Sequence, residues 1–201
     1  MGMLVKNSFL SHLEKRRSVY GLGNCVTLPK KYISELVSQA LSMSPSAYNA
    51  QSTRVVILFG HHHCKLWTLV KHELSKVLEL DSLDVSLSKI DACFAPGFGT
   101  VLFFEDTDVV RKQKQNHPLY AENWSQQACG MAQLAVWAAL AAENLGASIQ
   151  HYNPIIDEGV AQEWRIPASW KLMAQLPFGT IEKHPEPKFF IDDEEHCIVY
   201  E

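Results

Sequence analysis

Two adjacent arginines and a serine, Arg16, Arg17 and Ser18, form the first group of side chains whose types and spacing could do chemistry. Each guanidinium offers a planar fork of charge-assisted donors and the serine adds a hydroxyl, so the group could hold a phosphate. The same residues lie near the predicted end of an opening helix, where cations also meet the negative end of the helix dipole. On spacing alone, a solvated basic helix end is the preferred interpretation and a phosphate site is the alternative.

A second polar segment, SPSAYNAQ, runs over residues 44–51 between a predicted helix and a predicted strand. Its hydroxyls, backbone amides and the side-chain amides of Asn49 and Gln51 can meet the donor and acceptor edge of a heterocycle, while Pro45 restricts the loop's shape. A simple connecting turn explains the same composition equally well.

A third segment, GASIQHYNP, covers residues 146–154. A predicted strand begins directly after Gly146 and ends in polar and aromatic residues. Sheets often present ligand contacts at the end of a strand. The alternative interpretation is a buried structural histidine at His151, followed by a turn at Asn153 and Pro154.

These three segments must be positioned by a mixed set of helices and strands, which predicts an α+β fold. Apolar side chains at three- and four-residue steps predict helices over residues 32–41, 65–80 and 124–144. Short apolar runs predict strands over residues 55–59, 101–104, 147–150, 172–176 and 197–200. Gly146 is expected to cap the long helix in a left-handed conformation, and residues 181–195 to form an exposed connection or a tail that reaches a partner. That helix is apolar on almost every side, so we expect it to be buried centrally or to pack at a subunit interface.

Length and composition narrow the function classes. A chain of 201 residues predicts a single domain over 1–201, and a formal charge of −4 argues against a nucleic-acid partner. The first fifteen residues lack the apolar run of a signal peptide, and we find no span of about 18 apolar residues that would suggest a membrane helix. Five widely spaced cysteines without a C-x-x-C pair predict reduced thiols and a cytoplasmic protein.

Other features are more easily explained by structure than by chemistry. Residues 61–64 (HHHC) suggest a metal, but neighbouring side chains rarely converge on one ion, so no metal site is predicted. Trp124, Trp137, Trp164 and Trp170 are expected in the core or at a dimer contact, and Trp124 alone is worth testing as a stacking residue. No motif of a serine hydrolase, a phosphate-binding loop or a dinucleotide-binding strand is present.

Taken in order along the chain, these segments resemble the FMN-dependent nitroreductase family. The similarity spans nearly the whole sequence and is greatest to a short branch of about this length, through SPSAYNAQS and LGASIQHYNP. It implies a nitroreductase-like fold: a central mixed or antiparallel sheet flanked by helices, in an intertwined homodimer with FMN at the subunit interface.

The resemblance also implies roles for individual residues. The FMN phosphate and ribityl chain would be held by Arg16, Arg17 and Ser18. Contacts to the flavin from the second subunit would come from Pro45, Ser46, Ala47 and Asn49, and Gln51 belongs to the same cofactor-binding loop. Gln150, His151 and Tyr152 would lie near the reactive N5 edge. A basic residue near the C-terminus would reach the phosphate, with Lys188 the best candidate and Lys183 its competitor.

The implied activity is the transfer of electrons from NAD(P)H to nitroaromatic, quinone or similar electron-poor acceptors. Hydride would pass to flavin N5 in a ping-pong mechanism, so no acid or base of the protein is obligatory and no catalytic residue is assigned. The alternatives are a flavin-binding regulatory or sensor protein with little turnover and a flavin-free binding module. The chain is short where larger family members insert helices that shape the substrate pocket. It also has Tyr48 and a Gln-His-Tyr run at positions where those members often have other residues. These differences bear on the identity of the acceptor more than on the identity of the cofactor. Neither NADH nor NADPH is favoured.

Overall fold

Five strands form one sheet that runs through the centre of the structure. The computed structural model describes residues 7–192 and 196–201. The helices are α1 (Ser8–Lys15), α2 (Lys30–Met43), α3 (His61–Ser75), α4 (Leu80–Cys93), α5 (Thr107–Asn116), α6 (Ala121–Ala142) and α7 (Asp157–Trp164). The strands are β1 (Gly21–Gly23), β2 (Thr53–Phe59), β3 (Gly99–Asp106), β4 (Gly146–Ala147) and β5 (Trp170–Lys183). A short 3-10 helix, Ala47–Asn49, precedes β2.

The strand order is β1-β5-β3-β2, with β4 also paired to β5, and every strand pair is antiparallel. One isolated bridge, between Ser18 and Ala147, is parallel. The predicted α+β class and the central sheet flanked by helices are therefore confirmed.

Apolar side chains of β3 alternate between two cores, because successive residues of a strand point to opposite faces of the sheet. Val101 and Phe103 belong to the core that includes residues of α2 and α6. Leu102 and Phe104 belong to the core that includes residues of α3, α4 and α7. The sheet is thus covered by helices on both faces.

The long helix was predicted well, but its end was not. Gly146 is not a helix cap; it lies in β4, and Asn144 takes the left-handed conformation with φ 60°. A Cβ on residue 146 would lie 2.8 Å from Val19 Cγ1. Close packing against Val19, rather than the helix end, therefore favours glycine at 146.

Three helices have no counterpart in the predictions: α4, α5 and α7. Each of them buries a single side chain, namely Ile90, Val110 or Val160. In α4 the apolar side chains Leu80, Leu83, Leu87 and Ile90 do recur at three- and four-residue steps, so the pattern could have predicted this helix. The helices α5 and α7 are short and mostly polar, so their formation depends on tertiary contacts.

The C-terminal predictions need correction. Residues 197–200, which the structure describes, form no strand and are exposed, since no neighbouring strand satisfies their backbone. The predicted connection over 181–195 begins later than expected, because β5 continues to Lys183. Residues 193–195 of that prediction, and residues 1–6 of the predicted N-terminal region, lie outside the described residues. Within the described ranges, no helix has the length and apolar character needed to cross a membrane.

Candidate functional site

A pocket of about 490 Å³ brings together both ends of the chain. Arg16, Arg17 and Ser18 enter it from the end of α1, and Lys183 and Lys188 enter from the end of β5 and the segment after it. The remaining lining residues are Tyr20, Gly21, His184, Pro185 and Glu186. Four permanent cations therefore face one carboxylate, so the pocket is suited to an anion.

The two arginines are held in different ways. The Arg16 guanidinium lies 4.3 Å from the centre of the Trp137 ring, which fixes it as a cation stacked on an aromatic face. Burial, and after it the charge of Arg17, lowers the pKa of Arg16. Arg17 donates a hydrogen bond to the backbone oxygen of Glu186, which ties the segment after β5 to the pocket. A bound anion would offset both the desolvation and the repulsion between the guanidinium groups.

Ser18 connects this pocket to the third polar segment. It forms the parallel bridge with Ala147, and the next residue, Val19, donates its amide to Ala147 O at 2.9 Å. Residues that are about 130 positions apart in sequence are thus neighbours at one edge of the sheet.

The loop over residues 44–51 lies at a second pocket of about 180 Å³. Pro45, Ser46 and Gln51 line it, whereas Ala47 and Asn49 do not. Ser46 Oγ accepts a hydrogen bond from Gln51 N at 2.9 Å. The backbone is left-handed at Tyr48, Asn49 and Gln51, with φ between 50° and 54°. Left-handed geometry costs a residue such as Tyr48 or Gln51 on the order of 1–2 kcal/mol, whereas Asn adopts it routinely, so the turn is conformationally strained at two of its residues.

The third segment is organised by a buried glutamine that the sequence analysis did not select. Gln175, in β5, exchanges backbone hydrogen bonds with Gln150 at 2.7 and 2.9 Å. Its side-chain oxygen accepts from Tyr152 N at 2.7 Å, and its side-chain nitrogen donates to Asn153 Oδ1 at 3.2 Å. A polar residue inside the apolar run LMAQLPF was the available signal, because a fully buried amide requires partners.

The three predicted residues of this segment have different environments. Gln150 is buried and donates to Ser148 Oγ at 3.1 Å. Tyr152 packs edge-on against Trp67, with ring centres 5.8 Å apart, and burial, with a smaller effect of Cys93, raises its pKa to about 12. His151 is exposed, so its interpretation as a buried structural histidine is wrong. Among the residues that the structure describes, the buried histidine is His63.

The histidine run over residues 61–64 opens α3 rather than lying in a loop. His63 faces Thr100 Oγ1 at 2.9 Å and Ala95 O at 3.2 Å, and burial lowers its pKa. Trp67 Nε1 donates to the same threonine oxygen at 3.2 Å. Among the described residues, we find no group of His, Cys, Asp or Glu that could hold a metal ion.

The four selected tryptophans divide into two kinds. Trp137, Trp164 and Trp170 pack against the two cores, as expected. Trp124 lies instead in a surface cluster of aromatic rings beside Tyr48.

The sequence model of the Nitroreductase family matches residues 13–180, which is most of the chain. The chain belongs to the nitroreductase family. It is 33% identical to the protein HBN1 of Saccharomyces cerevisiae, over 93% of this chain and 95% of that one.

Solved nitroreductase structures also resemble this chain. The nitroreductase CinD of Lactococcus lactis, in complex with chloramphenicol, is 43% identical, with a TM-score of 0.85 over 96% of this chain and 100% of CinD. CinD has also been solved with 4-nitrophenol. A nitroreductase of Desulfitobacterium hafniense with bound FMN shares the fold at 13% identity, with a TM-score of 0.74 over 98% of this chain and 100% of that one.

Proposed function

We propose that this nitroreductase-family protein is an FMN-dependent oxidoreductase that takes electrons from NAD(P)H and passes them to small electron-poor acceptors. The observation that carries the proposal is the cationic pocket, in which the adjacent Arg16 and Arg17 meet Lys188 from the other end of the chain. The family of the chain and the FMN bound by a structural relative support the same cofactor.

The pocket fits the phosphate of FMN chemically. Guanidinium forks from Arg16 and Arg17 would hold two of its oxygens, and the Ser18 hydroxyl would donate to another polar atom of the phosphate or ribityl chain. Lys188 would add a point charge, and we retain Lys183 as the competing contact. The stacking of Arg16 on Trp137 would keep that cation in place before the ligand arrives.

The flavin ring would be contacted by residues outside this pocket. Pro45, Ser46, Ala47, Asn49 and Gln51 surround or line a separate pocket of the same chain. We therefore propose a homodimer in which this loop reaches the flavin bound mainly by the partner subunit, so that each site needs two chains. Gln150, His151 and Tyr152 would lie toward the N5 edge, with Gln175 fixing the positions of Gln150 and Tyr152.

Bound FMN would supply the redox chemistry, accepting a hydride from NAD(P)H and later releasing an electron pair to the acceptor. For a nitroaromatic, the balanced step converts NAD(P)H, one proton and the nitro compound into NAD(P)⁺, the nitroso compound and water. The protein's own task is to hold the phosphate, orient the ring and admit the two substrates in turn. We expect nitroaromatics and quinones as acceptors, supported by the nitro compounds bound to CinD. The free thiols of the described residues fit a cytoplasmic location.

The first experiment is the visible spectrum of the purified protein, before and after anaerobic addition of NADH and then NADPH. Bands of oxidised flavin that bleach promptly would support the reductase. Bands that persist would favour the sensor alternative, and a colourless protein that takes up no FMN would exclude the cofactor. Steady-state velocities measured at several fixed acceptor concentrations should then give parallel lines in double-reciprocal plots. In a ping-pong mechanism the oxidised nicotinamide leaves before the acceptor binds, so intersecting lines would contradict this mechanism.

A further inference from the structure

The segment after β4 follows β5 only as far as Gln150 and then leaves it. Gln150 pairs with Gln175, so an uninterrupted antiparallel ladder would next pair Tyr152 with Met173. Met173 is instead the extra residue of a β-bulge, by which β5 shifts its register against β3. Bulges often redirect the chain beside functional sites, so the residues that leave the sheet here deserve a functional explanation.

The side-chain amide of Gln175 takes the place of the missing strand pair. Its Oε1 accepts a hydrogen bond from Tyr152 N at 2.7 Å, and its Nε2 donates to Asn153 Oδ1 at 3.2 Å. Because a backbone N–H can only donate, the first contact fixes the orientation of the amide. Gln175 is fully buried, and a buried amide without these partners would be costly. Tyr152 and Asn153 are therefore held at the point where the chain turns away from the sheet.

The backbone of His151, just before these two anchored residues, faces the opposite edge. Backbone amides alternate in direction along an extended segment, and Ser148 and Gln150 donate toward β5, at 3.3 and 2.7 Å. Ala147 O accepts instead from Val19 N, on the other side. His151 has the same parity as Ala147, and within the described ranges neither its N–H nor its C=O makes a hydrogen bond. These two backbone groups are therefore available to a ligand.

The edge that His151 faces begins at the cationic pocket. Ser18, which lines that pocket, forms the parallel bridge with Ala147. His151 lies four residues further along, roughly 13 Å away in an extended chain at about 3.3 Å per residue. A flat heterocycle that is joined through a short polar chain to a phosphate in the pocket can therefore bring the polar edge of its ring to His151.

We propose that Gln175 is a positioning residue for the flavin reaction, because its amide holds residues 151–153 so that the backbone groups of His151 face the ring. This inference rests on the proposed function. It goes beyond it by assigning the geometry at the ring to a buried side chain that does not touch the cofactor. Oxidised and reduced FMN differ in the donors and acceptors of the ring, so Gln175 affects how strongly the protein distinguishes the two forms.

The test compares two variants of this contact. Gln175→Met keeps the length of the side chain but makes neither hydrogen bond, and Asn153→Ala removes only the acceptor of Nε2. Gln162→Met is the matched control, because Gln162 is exposed in α7 and hydrogen-bonds to Glu158. The midpoint potential of bound FMN is measured for each flavin-loaded protein by anaerobic equilibration with a redox dye. The dissociation constant of FMN is measured by fluorescence titration of the flavin-stripped protein.

We expect Gln175→Met to raise the dissociation constant of FMN about threefold to tenfold, the usual effect of one lost hydrogen bond. The ratio of the affinities for oxidised and reduced FMN should change at least about threefold, which is a shift of about 14 mV at about 30 mV per tenfold. Loss of a contact from the His151 N–H raises the potential and loss of a contact to its C=O lowers it, so the sign shows which group faces the ring. Asn153→Ala should shift the potential less and in the same direction, and Gln162→Met should not shift it.

The potential separates positioning from a merely structural role, because lower stability alone does not change the potential of the bound flavin. The inference is overturned by a folded Gln175→Met protein whose ratio of the two affinities changes by less than about 1.5-fold, or about 5 mV. If Gln175→Met does not fold, the same result in Asn153→Ala overturns it. A protein that binds no FMN refutes the proposed function itself, whereas prompt bleaching by NAD(P)H with unchanged potentials in the variants refutes only the positioning role.

Discussion

Replacing Arg16 by alanine tests the phosphate pocket most directly, because this side chain lines the pocket and its guanidinium stacks on the Trp137 ring. The change removes one guanidinium fork from the proposed phosphate contacts. Loss of a hydrogen bond to a charged group costs about 1.5–3 kcal/mol. At about 1.4 kcal/mol per tenfold, the FMN dissociation constant should rise roughly 10- to 100-fold.

The assay is titration of the flavin-stripped protein with FMN, followed by the quenching of flavin fluorescence. Arg16→Lys should give an intermediate loss, since lysine keeps the charge but lacks the planar fork and stacks less well on Trp137. Arg111→Ala is the matched control, because Arg111 is a largely exposed arginine that pairs with Asp108 outside the pocket. Its FMN affinity should not change.

The reasoning is refuted if Arg16→Ala remains folded, as judged by its thermal transition, and binds FMN within twofold of the unchanged protein. The phosphate would then lie elsewhere, and the cationic pocket would need another anion. A loss of the same size in Arg111→Ala would also count against it, since only general charge would be involved.

Three further predictions follow from the described contacts. Lys188→Ala should weaken FMN binding more than Lys183→Ala in the same titration, because the hydrogen bond from Arg17 to Glu186 O holds the segment before Lys188 at the pocket. Equal FMN affinities in the two variants would contradict the choice of Lys188 as the phosphate contact. Gln175→Leu should lower the free energy of unfolding by about 1–3 kcal/mol in urea, since it leaves a buried amide of the Tyr152 loop without its acceptor, whereas exposed Gln162→Leu should change it by less than about 0.5 kcal/mol. Burial lowers the pKa of His63 in the folded protein, so the unfolded chain binds more protons as the pH falls through about 6.5, and the free energy of unfolding should decrease there. His63→Gln should flatten this pH dependence of the free energy of unfolding. An unchanged slope would show that other groups are responsible.

Much of the architecture followed from local pattern. The helix around Ile33 has one apolar face, and the helix around Val136 is a long run of strong helix formers that is apolar on almost every side. The strands around Ile57 and Phe103 are β-branched and aromatic runs, and all four elements form as predicted. The helices α5 and α7 were missed because they are short and mostly polar, whereas α4 was missed although its leucines recur at helical spacing. The strand over 197–200 was predicted because β-propensity alone cannot tell whether a partner strand is available.

The sequence by itself determined which residue types can hold a phosphate or meet a heterocycle, since charge and hydrogen-bonding capacity belong to the side chains. It also determined the family, through the order of the three polar segments. Only the tertiary structure decided that Arg16 and Lys188 share a pocket, that Gln175 organises the residues before Asn153, and that Tyr48 joins Trp124 at the surface. These contacts join residues far apart along the chain, and no local pattern encodes them, because they depend on which strands pair and on how the helices pack against the sheet.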